Sequence, residues 1–342
     1  MKNVVLKYLQ RNPSQSSKEI FDGLTIDVSY ATVKRVISGL LKEELLLTDG
    51  KLRGAKYRVS LGYELSGEID VNEYFSEEQD NRQIKDSFNF SLITDVLTGA
   101  RLFTTIETNH LKDLQAQFKK NVVALTANAF KKEMERLAID LSWKSSQIEG
   151  NTYSLLETER LLNEQKTADG KPRDDATMLL NHKTAINFIT ANPDYVVPLS
   201  VRSIEDIHSL LMKDLDVDRN IRRRRVGVTG TNYKPLDNEH QIREALEDMC
   251  KLVNSKGDVF EKSFYTLVLL SYIQAFDDGN KRTARIVSNA ILIANNYCPL
   301  SFRTVDSIEY KKAMLIFYEQ NNISAFKRIF IDQFEFAVNT YF

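Results

Sequence analysis

Residues 274–285 read Gln-Ala-Phe-Asp-Asp-Gly-Asn-Lys-Arg-Thr-Ala-Arg, a polar stretch set between the apolar segments Ser263–Ile273 and Ile286–Ala294. Each flanking segment is long enough for a buried helix, so the loop between them is badly placed for packing and well placed to bind an anion. Gly279-Asn280 can take up left-handed backbone, which lets successive N–H groups converge. A helix starting near Lys281 then aims its positive end at the same point. Arg282 and Arg285, one turn apart, add forked cationic donors suited to phosphate. Asp278 offers the hard oxygen that a phosphate-bound Mg²⁺ usually takes from protein. These residue types at this spacing make a polyphosphate cradle. Asp-Asp-Gly-Asn alone would be an ordinary helix–helix turn; the three cations behind it argue otherwise.

The stretch resembles the signature of Fic-family proteins, His-x-Phe-x-(Asp/Glu)-Gly-Asn-(Gly/Lys)-Arg-x-x-Arg. Phe276, Asp278, Gly279, Asn280, Lys281, Arg282 and Arg285 match it, and Gln274 stands where the family has histidine. The resemblance implies ATP and Mg²⁺ as cofactors, with Asp278 on the metal and Gly279, Asn280, Lys281, Arg282 and Arg285 on the phosphates. It implies transfer of AMP to a hydroxyl of a target protein, with the histidine as general base. A glutamine amide takes up no proton near neutral pH, so the cradle is kept and the base is lost.

Two further segments extend the likeness, which covers roughly residues 85–342. Ser145-Ser146-Gln147-Ile148-Glu149-Gly150-Asn151 is similar to the family's inhibitory-helix pattern (Ser/Thr)-x-x-x-Glu-(Gly/Asn). There the glutamate pairs with the second arginine of the loop and blocks the γ-phosphate. By itself Glu-Gly-Asn is a helix stop. In this chain it is read as an autoinhibitory salt bridge from Glu149 to Arg285, with Ser145 on the same helix face holding the carboxylate and Gly150 ending the helix. Val226–Pro235 resembles the β-hairpin flap that clamps a target by strand addition, with Thr229, Gly230, Thr231, Asn232 and Tyr233 as its target-binding residues.

Three other residues offer themselves as substitutes for the missing base. His182 and His208 lie within amphipathic helices and read as structural. Asp277 is the better candidate, because a carboxylate can accept a proton. The run Arg222–Arg225 reads as the feed into a flap strand, with alternate arginines facing opposite ways.

The elements that must position these residues are mainly α-helical. The patterns place helices at Thr108–Ala127, Lys131–Ile148, Ala176–Ile189, Ser200–Leu215, Gln241–Asn254, Ile308–Gln320 and Ala325–Tyr341, with another opening at Ser154 under a Glu157 capping box. The only strand candidates in this part are Arg224–Thr229 and Asn232–Pro235. The expected layout is a Fic-type domain over 87–342, with an inhibitory helix near 131–150 and a core over about 175–342.

The first sixty residues differ. Asn3–Gln10, Lys18–Gly23 capped by Ser17, and Ser29–Lys42 read as helices, followed by a hairpin from Glu44–Thr48 and Ala55–Ser60. Three helices and a hairpin resemble a winged helix–turn–helix over residues 1–62, with Ser29–Lys42 as recognition helix. Residues 1–62 hold eleven Lys/Arg against six Asp/Glu, which nominates Lys34, Arg35, Arg53 and Lys56 for DNA phosphate contacts. A protein-contact role, or a merely solvated face, explains the same charges. Residues 64–86 then carry eight acidic residues against Arg82 and Lys85, and 63–86 reads as an acidic, mobile linker.

With 342 residues two domains are expected, and the net charge of −1 excludes nothing about partners. Cys250 and Cys298 form no disulfide framework and no metal spacing. No signal-peptide or membrane-length apolar run is visible, so a cytoplasmic chain with no membrane partner is expected. A homo-oligomer is compatible with the sequence. Three functions remain open: an adenylyltransferase impaired by Gln274, a nucleotide-responsive DNA-binding regulator without transferase activity, and a protein-interaction scaffold with a relic cleft.

Overall fold

The computed structural model describes residues 1–50 and 54–342, and the chain divides into two compact units. The smaller comprises Met1–Ile69 and Gln320–Ser324, and the larger Asp70–Glu319 and Ala325–Phe342.

In the smaller unit α1 (Lys2–Arg11), α2 (Ser17–Gly23) and α3 (Tyr30–Lys42) precede an antiparallel pair, β1 (Leu46–Asp49) and β2 (Lys56–Val59), in the register Leu46↔Val59 to Asp49↔Lys56. Val5, Leu9, Ile20, Val33, Ile37 and Leu40 form the centre of its core, with Leu46 and Val59 from the strands. The cap of α2 is Ser16 and not Ser17: Ser16 accepts from Glu19 N while Glu19 accepts from Ser16 N, so the capping box decides the start. Ser29, expected as the first residue of the third helix, is the N-cap of α3. Lys34 and Arg35 are exposed on α3, and Lys56 on β2; Arg53, the fourth nominated DNA contact, lies outside the described residues.

Residues 63–86 do not form the irregular linker their composition suggests. Ser60 caps α4 (Leu61–Ser66), which buries Leu65, and Asp70 caps α5 (Val71–Tyr74), followed by a 3₁₀ turn at Gln79–Asn81. A few capping side chains outweigh the acidic bias, because each satisfies backbone N–H groups that no helix supplies internally.

The larger unit is helical: a π turn (Leu92–Val96) runs into α6 (Leu97–Gly99), then α7 (Thr105–Ala124), α8 (Ala127–Ile148), α9 (Leu155–Glu164), α10 (Arg173–Ala191), α11 (Val201–Leu211), α12 (Glu239–Ser255), α13 (Val259–Ile273), α14 (Asn280–Ala294), α15 (Ser307–Gln320) and α16 (Ser324–Tyr341). Every residue of α13 from Ser263 to Ile273 is buried, as a helix apolar on all sides requires. The following helix α14 is buried almost as completely, including Arg282 and Arg285 in its first turns. The α13–α14 hairpin is therefore the axis of the unit, and the polar loop joining its two helices is held on a rigid base.

The two strands expected at 224–229 and 232–235 do not form a ladder. Among the described residues the only bridge in that region joins Lys234 to Ser87, in parallel. Side chains hold the segment instead. Arg222 donates through Nε to Gln274 O (2.6 Å), through Nη1 to Arg224 O (2.7 Å) and through Nη2 to Leu236 O, so one buried guanidinium ties both arms of the flap to the loop. The alternation expected for Arg222–Arg225 fails for the same reason: only Arg222 points inward, while Arg223, Arg224 and Arg225 are exposed and face Glu239, Asp277 and Asp237.

Candidate active site

The loop between α13 and α14 is shaped by bonds from the Asn280 side chain to the loop's own backbone. Asn280 Oδ1 accepts from Phe276 N (2.9 Å) and its Nδ2 donates to Phe276 O (2.7 Å), closing the turn on itself. Gly279 sits at φ +80° as the N-cap of α14. The dihedral calls for glycine, and a Cβ there, 2.6 Å from Met212 Cε, would also push that methionine aside. Beneath the turn the His208 ring stacks on Phe276 at 3.7 Å and 7°. Its Nε2 lies 2.9 Å from Asp278 O and its Nδ1 3.3 Å from Arg219 O. Burial pushes the His208 pKa down to about 4, against the two carbonyls that favour the charged form. A neutral imidazole has one N–H to give, and the shorter contact assigns it to Asp278 O.

The cations follow from the start of α14. Arg282 is 2 % exposed and donates through Nη2 to Asp278 Oδ2 (2.6 Å), whose own side chain remains 61 % exposed. Arg285 is fully buried and donates through Nη2 to Glu149 Oε1 (2.8 Å) and to Ser145 O (3.0 Å). Lys281 Nζ reaches the other oxygen of Glu149 at 2.7 Å. Among the described residues Arg282 Nε and Nη1 and Arg285 Nη1 have no hydrogen-bond partner although they are buried. Buried guanidinium N–H groups are costly to leave unpaired, and the first-turn amides of α14 beside them are unpaired within the helix by construction. This donor set fits a polyphosphate. One exposed carboxylate, Asp278, fits a Mg²⁺ that takes its remaining ligands from phosphate and water.

Glu149 is the C-cap of α8, and Gly150 at φ +100° turns the chain away behind it. Burial alone would raise the Glu149 pKa; Arg285 and Lys281 more than offset this and lower it to about 2. Ser145 does not hold the carboxylate as expected. Its Oγ accepts from Arg285 Nε (2.8 Å) and lies 3.1 Å from His182 Nε2, so it orients the arginine and not the glutamate. Burial, and then Arg282 and Arg285, push the His182 pKa well below its ordinary value, leaving a neutral ring whose Nε2 lies against the Ser145 hydroxyl.

Gln274 terminates α13 in the left-handed region (φ 53°) and is 8 % exposed. Its Nε2 donates to Ser271 O (2.6 Å) and to Tyr318 Oη (3.4 Å). None of the three substitutes for the base is free: His182 lies behind Ser145, His208 lies under the loop, and Asp277 accepts from both Nε and Nη2 of Arg224 (3.0 and 2.9 Å).

A cavity of about 750 Å³ opens over this ensemble, lined by Glu149, Gln274, Asp278–Lys281, flap residues 227–230 and side chains of α15. The five expected target-binding residues divide. Thr229 and Gly230 line the cavity, Gly230 at φ +86°. Thr231 and Tyr233 are buried anchors: Thr231 Oγ1 accepts from Tyr233 N, and Tyr233 Oη donates to Tyr272 O (3.1 Å) while its ring stacks on Tyr272. Asn232 is bonded to Gln79 and Asp80. A target can meet the first two and not the buried pair. Residues the sequence reasoning missed are Lys281 as a partner of Glu149, Arg222 as the clamp of the flap, and the cavity wall Phe75–Gln79.

The site is thus a helical hairpin whose joining loop presents a helix N-terminus and buried arginines, with the acidic end of α8 against it. Residues 198–292 match the model of the Fic/DOC family. A protein adenylyltransferase Fic from Drosophila persimilis is 21 % identical over 289 residues, covering 80 % of this chain and 56 % of the relative. The protein of the same name from Aedes aegypti is 26 % identical over 228 residues, covering 64 % of this chain and 44 % of the relative. The chain thus spans about half the length of the curated relatives it matches. Among solved structures, Fic-1 of C. elegans superposes with a TM-score of 0.61 at 20 % identity, covering 69 % of this chain and 72 % of that one. A Fic domain-containing signaling protein from Bacteroides thetaiotaomicron gives 0.57 at 17 % identity, covering 67 % and 94 %. Among the described residues no helix is long and apolar enough to cross a membrane.

Proposed function

We propose that the chain binds Mg·ATP in this cleft and is a protein adenylyltransferase, held off by Glu149 and slowed by Gln274. The observation that carries the reading is the set of buried, unpaired N–H groups on Arg282 and Arg285, the same guanidiniums that hold Asp278 and Glu149. The amides of Gly279, Asn280 and Lys281 and the Arg282 guanidinium would hold the inner phosphates. Arg285 would take the outer one once Glu149 gives way. Asp278 would hold Mg²⁺, which when bound neutralises charge on the phosphate oxygens. In the reaction a target hydroxyl attacks the α-phosphorus, pyrophosphate leaves, and the hydroxyl proton must go to a base. Gln274 can accept a hydrogen bond from that hydroxyl but not its proton. Loss of a general base typically lowers the rate by about 10²–10⁴-fold, and positioning and charge stabilisation would carry what remains.

The relatives bearing the name protein adenylyltransferase support AMP transfer for the family as a whole. Calorimetric titration of Mg·ATP into the Glu149→Gly chain should give saturable binding. Arg282→Ala in the same background should weaken it by about 10- to 100-fold, the effect of one charge-assisted bond pair. Absence of binding to Glu149→Gly itself would overturn the proposal.

A second reading has its own support: Lys34 and Arg35 are exposed on one helix of the smaller unit and Lys56 on its hairpin. In this reading the smaller unit binds DNA as a winged helix–turn–helix, and the chain is a nucleotide-responsive regulator without transferase activity. Binding to a DNA duplex should then fall linearly with log salt, and a double Lys34→Ala, Arg35→Ala change should reduce the slope by about 2. A slope unchanged by the double change would exclude α3 from the contact.

A further inference from the structure

Among the described residues no ladder holds the flap, yet residues 224–236 must be fixed in place to present anything to the cleft, and ordering each residue costs conformational entropy. Its root is fixed by Arg222 and by Tyr233 stacked on Tyr272. Its tip is held by something else. Arg82, far upstream and outside the matched Fic segment, donates through Nη2 to Gly230 O at 2.5 Å and to Glu319 Oε1 at 3.0 Å. The Arg82 side chain is 7 % exposed and that of Glu319 fully buried, with Tyr74 Oη donating to Glu319 Oε2 at 2.6 Å. The guanidinium also lies over the Phe75 ring at 5.0 Å. A buried ion pair persists where its remaining hydrogen-bonding capacity is used, and here part of that capacity is used on the backbone of the flap tip.

The contacts on either side of Arg82 follow the same line. Gln79 Nε2 donates to Asn232 Oδ1 (2.8 Å), and Asn232 Nδ2 donates to Asp80 Oδ1 (2.9 Å). Lys234 N donates to Asp86 O (2.8 Å), Ser87 bridges Lys234 in parallel, and Phe88 stacks on the Tyr272 ring that carries Tyr233. Residues 74–88 therefore run along the outer arm of the flap from its tip to its root. Their other side, at Phe75, Glu77 and Gln79, faces the same cavity as Gln274 and Lys281.

We propose that this upstream segment is a brace that sets the flap over the nucleotide cleft, and that Arg82 is its positioning residue. The brace occupies the outer arm at Lys234, so residues 227–230 on the inner side are what an incoming target segment meets. That last step rests on the adenylyltransferase reading; the bracing itself does not.

Hydrogen exchange of the full chain tests it. In Arg82→Ala the amides of 226–234 should exchange at least tenfold faster, with those of α13 and α14 unchanged. Arg82→Lys, which can reach one acceptor but not hold both, should fall between. Asn232→Ala, an exposed change that leaves the buried ion pair intact, should loosen the same amides on its own. Mg·ATP affinity in the Glu149→Gly background should stay within twofold throughout. Unchanged flap exchange in Asn232→Ala together with Arg82→Ala would overturn the brace. So would loosening of α13 and α14 alongside the flap in Arg82→Ala, which would make Arg82 a general structural residue. If no variant binds Mg·ATP the nucleotide reading fails, and the exchange comparison still decides the brace.

Discussion

Replacing Gln274 by histidine in a chain that also carries Glu149→Gly should raise AMP transfer by about 10²–10⁴-fold over Glu149→Gly alone, the range for supplying a general base. The site gives reason to expect the gain without rebuilding. Gln274 occupies the last position of α13 in a left-handed conformation, and its amide is held by Ser271 O and the Tyr318 hydroxyl. An imidazole there can give its one N–H to the Ser271 carbonyl and keep its other nitrogen for the incoming hydroxyl. Labelling with an ATP analogue that marks AMP, using the chain and a cell extract as acceptors, reads the result. Equal labelling with and without the histidine, in chains that bind Mg·ATP equally, would show that proton removal is not what limits this protein.

The second large effect concerns Glu149. Its removal leaves Arg285 fully buried without its counter-charge, and breaking a buried pair from one side costs about 3–5 kcal/mol. Glu149→Gly should therefore melt several degrees below the unmodified chain when free, and Mg·ATP should restore much of the loss by supplying phosphate where the carboxylate was. The unmodified chain should gain far less from the same nucleotide, because binding must first displace two ion pairs. A variant that melts like the unmodified chain, or one that Mg·ATP does not stabilise, would contradict the inhibitory role.

The pH dependence of the same bridge has a definite sign. The Glu149 carboxyl titrates near 2 when folded, against about 4.5 ordinarily, because Arg285 and Lys281 outweigh its burial. A depressed acid contributes its stability in full above the ordinary value and loses it as pH falls toward the folded one. The difference corresponds to about 3 kcal/mol. In urea titrations the gap between the unmodified chain and Glu149→Gln should be level above about pH 5 and close progressively below 4.5.

What could be read from the residues alone was the part in which chemistry and local sequence coincide. The cradle from Asp278 to Arg285 is contiguous, its glycine and asparagine have local backbone reasons, and its cations are one turn apart. The helices of the larger unit follow from apolar period, and Ser154 with Glu157 makes the capping box its sequence announces. Contacts that depend on tertiary approach were not legible. Nothing in the sequence says that Lys281 would share Glu149, or that Ser145 would serve Arg285 and His182 in place of the glutamate. The flap read as two strands because its residues favour extended backbone, but a ladder needs a partner at the right distance, and Arg222 holds the arms by their carbonyls. The acidic stretch after residue 63 looked like a linker because composition records charge, whereas its course is set by Asp70 as a cap and Arg82 as a buried cation.

The closed turn between Phe276 and Asn280 bears on how such a protein changes over time. Its shape is made by an amide pair, a glycine and a stacked neutral histidine, none of which touches residue 274 through a side chain. On the adenylyltransferase reading, the seat proposed for the nucleotide and the residue proposed to meet the incoming hydroxyl are held by separate contacts. One can be lost by a single codon while the other stays intact, and selection can afterwards keep the seat for its occupancy alone.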